Sequence, residues 1–476
     1  MIPLPYMAGF PVAVLGLGRS GLQAAKALQK SDAEVWAWDD NEAARARAQE
    51  EGVSLKNLYD IDWREPVSLV LSPGIPDRLP APHPLVAKAR QAGCEIVSDI
   101  ELLGRAVPDA SYVGITGTNG KSTTTALIGH VLNTSGKDAQ VGGNLGPSVL
   151  DFAPVEPGGY YVLEMSSYQL ERTASITFDV AVWLNISADH LDRHGDMAGY
   201  VAAKKNIFRR QTRPRAAVVG VDDDHSRQVF DDLNAVGSQA LFPISGTRAV
   251  AGGIGVQDGT LIDDTDGQQA AVMDLAKMAS LPGPHNWQNA AAAYAACRHI
   301  GVQPHVIAAC FQSFPGLPHR QEPAATIDGV AFVNDSKATN ADAAVRALAC
   351  YRTIYWIAGG RAKQGGLAGT QDYWPRVRRA YLIGEAANDF AQALQGQVTA
   401  EICGTLDTAV ERAFADAKAD GARGAVVLLS PACASFDQFD SFEARGDRFK
   451  ELVGQLSGTR DEIGRQHLSS DAGGAA

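Results

Sequence analysis

Short apolar runs alternate along this chain with longer stretches whose apolar residues recur every three or four positions. The runs include "VAVL" (12–15), "EVWAW" (34–38), "SYVGIT" (111–116), "YYVLE" (160–164), "VAVWL" (180–184), "VAFVN" (330–334), "TIYWIAG" (353–359) and "AVVLLS" (425–430). Runs this short and this apolar suit strands buried on both faces, whereas stretches such as "KSTTTALIGHVL" carry helical spacing. The pattern predicts an α/β fold with mostly parallel sheets. The runs end in or lead into small or polar residues, and open α/β sheets bind ligands at those carboxyl ends. Three blocks are expected to be domains, at 1–105, 106–316 and 317–457. The polar, Gly-rich tail 458–476 is expected to be disordered.

Composition narrows the class. The 476 residues are 45% hydrophobic and 20% charged, with a formal net charge of −12. That balance gives ample core and argues against a dedicated nucleic-acid binder, which would show a basic face. None of the six cysteines is paired as C-x-x-C, so reduced buried thiols are expected rather than a disulfide framework. The start "MIPLPYMAGF" has no signal-peptide pattern, and no apolar run reaches the ~18 residues of a membrane span. A cytoplasmic monomer, bound neither to membrane nor to nucleic acid, is expected.

Two Gly-rich turns carry candidate chemistry. After "VAVL", Gly16-x-Gly18-x-x-Gly21 opens a helix, and the second strand ends in Asp39 and Asp40. This is a dinucleotide fingerprint, but the same turn suits any diphosphate, and it also fits a purely structural turn. The second turn, "GITGTNGKSTT" (114–124), nearly spells a phosphate loop; the consensus first Gly falls on Ile115. Its strand-to-helix setting still offers backbone N–H groups, a cation in Lys121 and a hydroxyl in Ser122 for Mg²⁺. Glu164, ending "YYVLE", is either a capping acid or, on an adjacent strand, a metal ligand. "NISADHLDRHG" gathers Asn185, Asp189, His190, Asp192, Arg193 and His194 after a strand, which favours a site over a solvated loop. Lys204, read alone, is a surface lysine of an ordinary helix.

Seven segments in order, "TGTNGKSTT", "EMSSYQL", "DHLDRHG", "YVAAKKNIF", "GPHNWQNAAAA", "GLPHR" and "NDSKATN", resemble the Mur ligases of peptidoglycan synthesis from about residue 9 to 455. That family's ATP loop reads "TGTNGK[ST]", so the departure at Ile115 is the family's own variant. "GLGRSG" and "LLSPACASFDQF" are similar to the branch that adds D-glutamate to UDP-N-acetylmuramoyl-L-alanine. The "DNPR" of the diaminopimelate-adding branch and the "GIGGxGM" start of the L-alanine-adding branch are absent.

The resemblance implies a Rossmann-like N-terminal domain, a central P-loop ATP domain and a Rossmann-like C-terminal domain. It turns the first Gly-rich turn from a cofactor site into a UDP site, with Gly18, Arg19, Ser20, Asp39, Ser72, Gly74 and Asn144. It gives ATP to Gly117, Thr118, Asn119, Gly120, Lys121, Ser122 and Thr123, with Asn286 and Asn289 at adenine, Arg320 at the γ-phosphate and Asp335 at ribose. Two Mg²⁺ ions are implied, with Ser122, Glu164, His190 and a carbamylated Lys204 as ligands. D-Glutamate falls to Thr339, Lys363, Ser435, Phe436 and Phe442, where Phe436 replaces the usual Leu. Lys121, His190, Lys204 and Lys337 are the expected catalytic groups. The implied reaction is ATP-dependent amide formation through an acyl phosphate. A dehydrogenase built on "GLGRSG" leaves the ATP loop unexplained, and a folylpolyglutamate synthase lacks the N-terminal block.

Overall fold

The structure is a computed structural model that describes residues 1–278, 280–363 and 365–461. Among these, the strands make three large sheets and one short ribbon. Strands β1 (Pro11–Leu15), β2 (Glu34–Trp38), β3 (Ser68–Leu71) and β4 (Glu95–Val97) form an all-parallel sheet in the order β2-β1-β3-β4. The second sheet takes β5 (Ser111–Thr116), β6 (Ala139–Gly143), β7 (Tyr160–Glu164), β8 (Val180–Trp183), β9 (Ala216–Gly220), β10 (Ala240–Ser245), β11 (Ile254–Gln257), β12 (Thr260–Asp263) and β13 (Ala270–Asp274). Their order is β13-β12-β11-β10-β9-β8-β5-β7-β6. The third takes β14 (Glu322–Ile327), β15 (Val330–Asn334), β16 (Thr353–Gly359), then, past the ribbon strand β17 (Arg361–Ala362), β18 (Val377–Ile383), β19 (Ala400–Gly404) and β20 (Ala425–Leu429). Beyond the second ribbon strand, β21 (Cys433–Ala434), comes β22 (Arg460–Asp461), and the order is β19-β18-β16-β20-β15-β14-β22.

Alternation within the apolar runs explains why these strands are buried on both sides. Val12 and Val14 enter one apolar cluster with Leu22, Ala25 and Leu28 of the following helix. Ala13 and Leu15 enter another, with Leu85 and Ala89. In the third sheet Ile354 and Trp356 face one cluster, while Tyr355 and Ile357 face the other. A strand with two apolar faces needs helices on both, which is the parallel α/β layering. The exception is β14, antiparallel to both β15 and β22 at the sheet's edge.

By their contacts the residues fall into two compact units. The first is Met1–Val256 with Ile262–Val272 and Gln288–Phe311; the second is Gln257–Leu261 with Met273–Trp287 and the chain from Gln312. The first sheet and most of the second fall in the first unit. One cluster spans both, from Val12 and Val14 to Tyr161, Leu163, Trp183 and Val219. Polar bonds tie them too: Glu101, 1% exposed, accepts the backbone N–H groups of Ala174 and Ser175 at 2.7 and 2.9 Å. The tail also departs from expectation. Arg460 and Asp461 pair with Ile327 and Thr326 beyond the expected boundary at 457, because the outer edge of β14 has backbone groups to satisfy. The rest of the expected disordered tail, 462–476, lies outside the described residues. No helix among the described residues is long and apolar enough to cross a membrane.

The turn after β1 is closed by contact between backbones. Gly16 has φ 89°, and a Cβ on Gly21 would lie 1.8 Å from the Gly16 carbonyl oxygen. Gly21→Ala is expected to lower stability by at least the ~1–3 kcal/mol of an overpacked site. Thermal melting checks this; an unchanged midpoint would show that the turn relaxes freely.

Candidate active site

The second Gly-rich turn joins β5 to the helix Lys121–Thr134. Gly120, its N-cap, has φ 84°, and a Cβ there would meet Asn289 Oδ1 at 2.1 Å, so both backbone shape and space require glycine. Asn185, just past β8, grips the turn. Its Oδ1 accepts from Asn119 N at 3.0 Å, its Nδ2 donates to Asn119 O at 3.3 Å, and its own carbonyl accepts from Thr118 N at 2.9 Å. The N–H groups of Thr118 and Asn119 are thus spent inside the protein. A phosphate cradle here must be built from Gly120 onward, where the first turn of a helix has N–H groups without intrahelical acceptors.

Lysines crowd the same turn. Lys121 Nζ donates to Gly117 O at 2.9 Å and Thr118 O at 2.8 Å. Lys204 is no surface residue: it is 2% exposed, with Nζ 3.0 Å from the same Gly117 O and 3.3 Å from Thr116 Oγ1. Apolar neighbours on the helix Met197–Lys205 turn it inward, among them Tyr200, whose ring lies 4.7 Å from Nζ. Burial, reinforced by the Lys121 charge, drives the Lys204 amine well below the usual lysine range.

Glu164 ends β7 beside β5, with Ile115 as its register partner. It is 3% exposed; Oε1 accepts from Asn144 Nδ2 at 2.9 Å, and Oε2 is buried without a hydrogen-bond partner. An orphaned carboxylate oxygen at a strand end fits a hard cation. Among the described residues, no three His, Cys, Asp or Glu side chains gather as a metal cluster. A Mg²⁺ ion would therefore draw on few protein ligands and on phosphate oxygens, as is usual for this ion.

A cavity of about 280 Å³ is lined by Lys121, Asn144, Asp189, His190 and Lys204, with Gly74 from the first sheet. His190 holds a left-handed conformation, φ 52°, with its ring 5.3 Å from that of Tyr168. Tyr168 is the hub of that wall: His194 stacks on it at 5.4 Å, and the Arg193 guanidinium lies 4.5 Å over it. Arg193 in turn donates to the carbonyls of Gly74 and Ile75, both at 3.3 Å. Tyr168 and Tyr200 escaped the sequence reading because an aromatic at helical spacing looks like core.

The residues expected at UDP lie close by. Gly18, Arg19 and Ser20 open the first helix, whose N-cap is Gly18. Asp39 accepts from Leu17 N at 2.7 Å and Asn41 N at 2.8 Å, and Ser72 Oγ donates to Gly16 O at 2.8 Å. Arg19 donates to Asn144 O at 3.1 Å, so Asn144 connects this loop to Glu164.

The second unit holds the remaining candidates. Asp335 is buried, accepting from Ser430 Oγ at 2.8 Å and Gln321 N at 3.2 Å; burial pushes its carboxyl up to about 7, with Arg320 pulling the other way. Lys337 Nζ lies 3.7 Å over the ring of Phe442. Thr339 N donates to Lys337 O at 2.8 Å. The β17–β21 ribbon sets the loop of Lys363 beside that of Ser435, which is 2% exposed. Phe436 is 64% exposed and packs little. Arg445 was not foreseen: only 1% exposed, it donates to Ser336 Oγ, Ser336 O and Cys433 O, and burial lowers it to about 10. Asn286 counts with this unit, donating to Pro282 O at 2.8 Å, whereas Asn289 counts with the first.

With this geometry in view, the kinship is plain. Residues 115–297 match the Mur ligase middle domain and residues 319–433 the Mur ligase glutamate ligase domain. The UDP-N-acetylmuramoylalanine–D-glutamate ligase of Rhodospirillum rubrum is 52% identical over 97% of this chain and 98% of its own. That of Phenylobacterium zucineum is 50% identical over 96% and 98%. The chain belongs to the Mur ligase family. In fold it is similar to the UDP-N-acetylmuramate-alanine ligase of Thermotoga maritima, at a TM-score of 0.59 and 16% identity over 93% of this chain and 99% of that one. The dehydrogenase reading of the first turn has no support left.

His285 offers a test of the second unit. Its Nε2 lies 3.1 Å from Asn286 Nδ2 and 3.4 Å from Gln321 Nε2, both donors, and burial lowers its pKa to about 4. A depressed pKa means stability present above the unfolded value of ~6.5 and lost as pH falls toward 4, by no more than about 3 kcal/mol. The melting temperature of wild type should fall relative to that of His285→Gln as pH drops from ~6.5 toward about 4, and the difference should stay level above ~6.5. Parallel curves would show that His285 does not stay neutral.

Proposed function

We propose that the chain is an ATP-dependent ligase that joins D-glutamate to UDP-N-acetylmuramoyl-L-alanine in peptidoglycan precursor synthesis. The observation that carries this reading is the meeting, in one cavity, of the loop lysine Lys121, His190 and the buried Lys204, beside Asn144 and Glu164. The choice of D-glutamate follows the names of relatives about 50% identical over nearly the whole chain.

A carboxylate is a poor acyl donor because its leaving group would be oxide. In the proposed route a carboxylate oxygen of the L-alanine attacks the γ-phosphorus of ATP, the bond to the β-bridging oxygen breaks and ADP leaves. The neutral amine of D-glutamate then attacks the acyl carbon, giving a tetrahedral intermediate. The C–O bond to phosphate breaks and the nitrogen sheds its proton. Every partner is anionic, so rate comes from positioning and charge neutralisation. Lys121 serves the β/γ oxygens, Arg320 the γ-phosphate and Asp335 the ribose. Asn286 and Asn289 serve the adenine. Gly18, Arg19, Ser20, Asp39, Ser72, Gly74 and Asn144 serve the UDP part. Thr339, Lys363, Ser435 and Phe442 serve D-glutamate, and Lys337 neutralises the acyl phosphate. Mg²⁺, which would supply further neutralisation of phosphate oxygens, would be held by Ser122, Glu164 and His190. Lys204 suits carbamylation: a neutral amine attacks CO₂, and the product is an anion where a cation would repel Lys121. A monomer working in the cytoplasm completes the reading.

Phosphate release from ATP with UDP-N-acetylmuramoyl-L-alanine should require D-glutamate, and L-glutamate, L-alanine or diaminopimelate should not replace it. Lys121→Ala should cut turnover by roughly 10²–10³ with the fold intact. Equal turnover with any amino acid, or a fully active Lys121→Ala, would refute the assignment. Within the same assay, Lys363→Ala should raise the Michaelis constant for D-glutamate about ten- to a hundred-fold, the loss of one hydrogen bond to a charged group. The constants for ATP and the UDP substrate should stay put; a loss shared by all three would remove Lys363 from amino-acid recognition.

A further inference from the structure

A buried amide chain runs from the phosphate loop to a carboxylate just past the neighbouring strand β9. Gln288 is 6% exposed on the helix Pro284–His299. Its Oε1 accepts from Asn185 Nδ2 at 3.0 Å, and its Nε2 donates to Asp222 Oδ2 at 2.9 Å. Asp222, after β9, is fixed by Gly246 N at 2.8 Å on the same oxygen and by Ser245 Oγ at 2.5 Å on the other. Asn185 at the opposite end clamps Asn119 through a two-way bond and Thr118 through its carbonyl.

The direction of these bonds is over-determined. A carboxylate only accepts, so Gln288 must turn its NH₂ to Asp222 and its oxygen to Asn185. Asn185 must then give its NH₂ to Gln288 and its oxygen to the Asn119 N–H. The loop imposes the same orientation from its own side, because Asn119 offers one donor and one acceptor to Asn185. The chain is satisfied end to end only in this one arrangement, and a buried network in that condition is rigid.

We infer that Gln288 is a positioning residue for nucleotide binding, acting through Asn185 on the phosphate loop and itself oriented by Asp222. It touches no reacting atom. Its work is to keep Asn185 in the rotamer that takes up the Asn119 N–H, beside the Thr118 N–H that the Asn185 backbone carbonyl takes up, so that the carbonyls of Gly117 and Thr118 stay turned toward Lys121 and Lys204. This deepens the ATP-ligase reading and rests on it.

The experiment uses the full chain and Gln288→Leu, with Gln288→Glu as the conservative partner. Glu keeps an acceptor for Asn185 and, only while it shares a proton with Asp222, a donor to that carboxylate as well; Leu loses both. Binding of a non-hydrolysable ATP analogue is measured without the other substrates, together with amide hydrogen exchange of the 116–120 loop. Gln288→Leu should bind the analogue about three- to tenfold more weakly, as expected for one neutral hydrogen bond. Its loop amides should exchange faster while those of β5 and β8 keep their protection, and binding of the UDP substrate should be unchanged. Gln288→Glu should retain most of the nucleotide affinity and loop protection at the lowest pH at which the fold persists, where the Glu–Asp222 pair holds a proton, and should lose them as pH rises. Wild-type binding by Gln288→Leu, or Gln288→Glu behaving like Leu at every pH, would overturn the inference. So would faster exchange throughout the sheet with weaker binding of both ligands, which marks simple destabilisation. Failure of the wild type to bind the analogue would instead sink the ATP reading itself.

Discussion

Two lysine amines converge on a single peptide oxygen, that of Gly117, and the first unit is arranged around that fact. Lys121 reaches it at 2.9 Å and Lys204 at 3.0 Å. Two ammonium ions so close in a buried place would repel strongly, since little solvent is present to screen them. The fold eases the conflict by burying Lys204, which drives its amine well below the usual lysine range. For both amines to reach the carbonyl, the turn must present its oxygens inward. Asn185 makes that possible by taking up the N–H groups on the other side.

Strands and their order of appearance were legible because short, continuously apolar runs alternate with stretches of helical spacing. The phosphate turn was legible because glycine, lysine and serine spacing at a strand-to-helix junction has few other uses. Burial of Lys204 was not: "YVAAKKNIF" offers two adjacent lysines, and only the facing of the helix decides that Lys204 goes in while Lys205 pairs with Asp232 at the surface. The partners of Asn185 were equally hidden. Gln288 lies 103 positions away, and nothing local in "HNWQN" separates it from a solvated amide. Tyr168 hid in the same way, as a residue whose ring is at once packing and platform. The contacts that tie the first two sheets were beyond reach, because Glu101 of one helix reaches the 174–175 backbone, which shows no pattern.

The second unit organises its strand-end loops by other means. Arg445 is buried and donates to backbone and hydroxyl oxygens on both the Ser336 and Cys433 loops. One guanidinium thus sets the spacing between the loop of Lys337 and that of Ser435, with the β17–β21 ribbon fixing Lys363 alongside. The rigid fork of arginine suits this task better than a lysine, whose single ammonium could not hold three acceptors in fixed directions.

The short strand β22 changes what the end of the chain means. By lying along β14 it covers an outer row of peptide groups that would otherwise be open. Uncovered edges recruit strands from other molecules, and cells contain many. A chain ending a few residues earlier would keep every side chain named above, yet carry an adhesive flank. Its weakness would show in a test tube as concentration-dependent clumping, long before any catalytic step was affected.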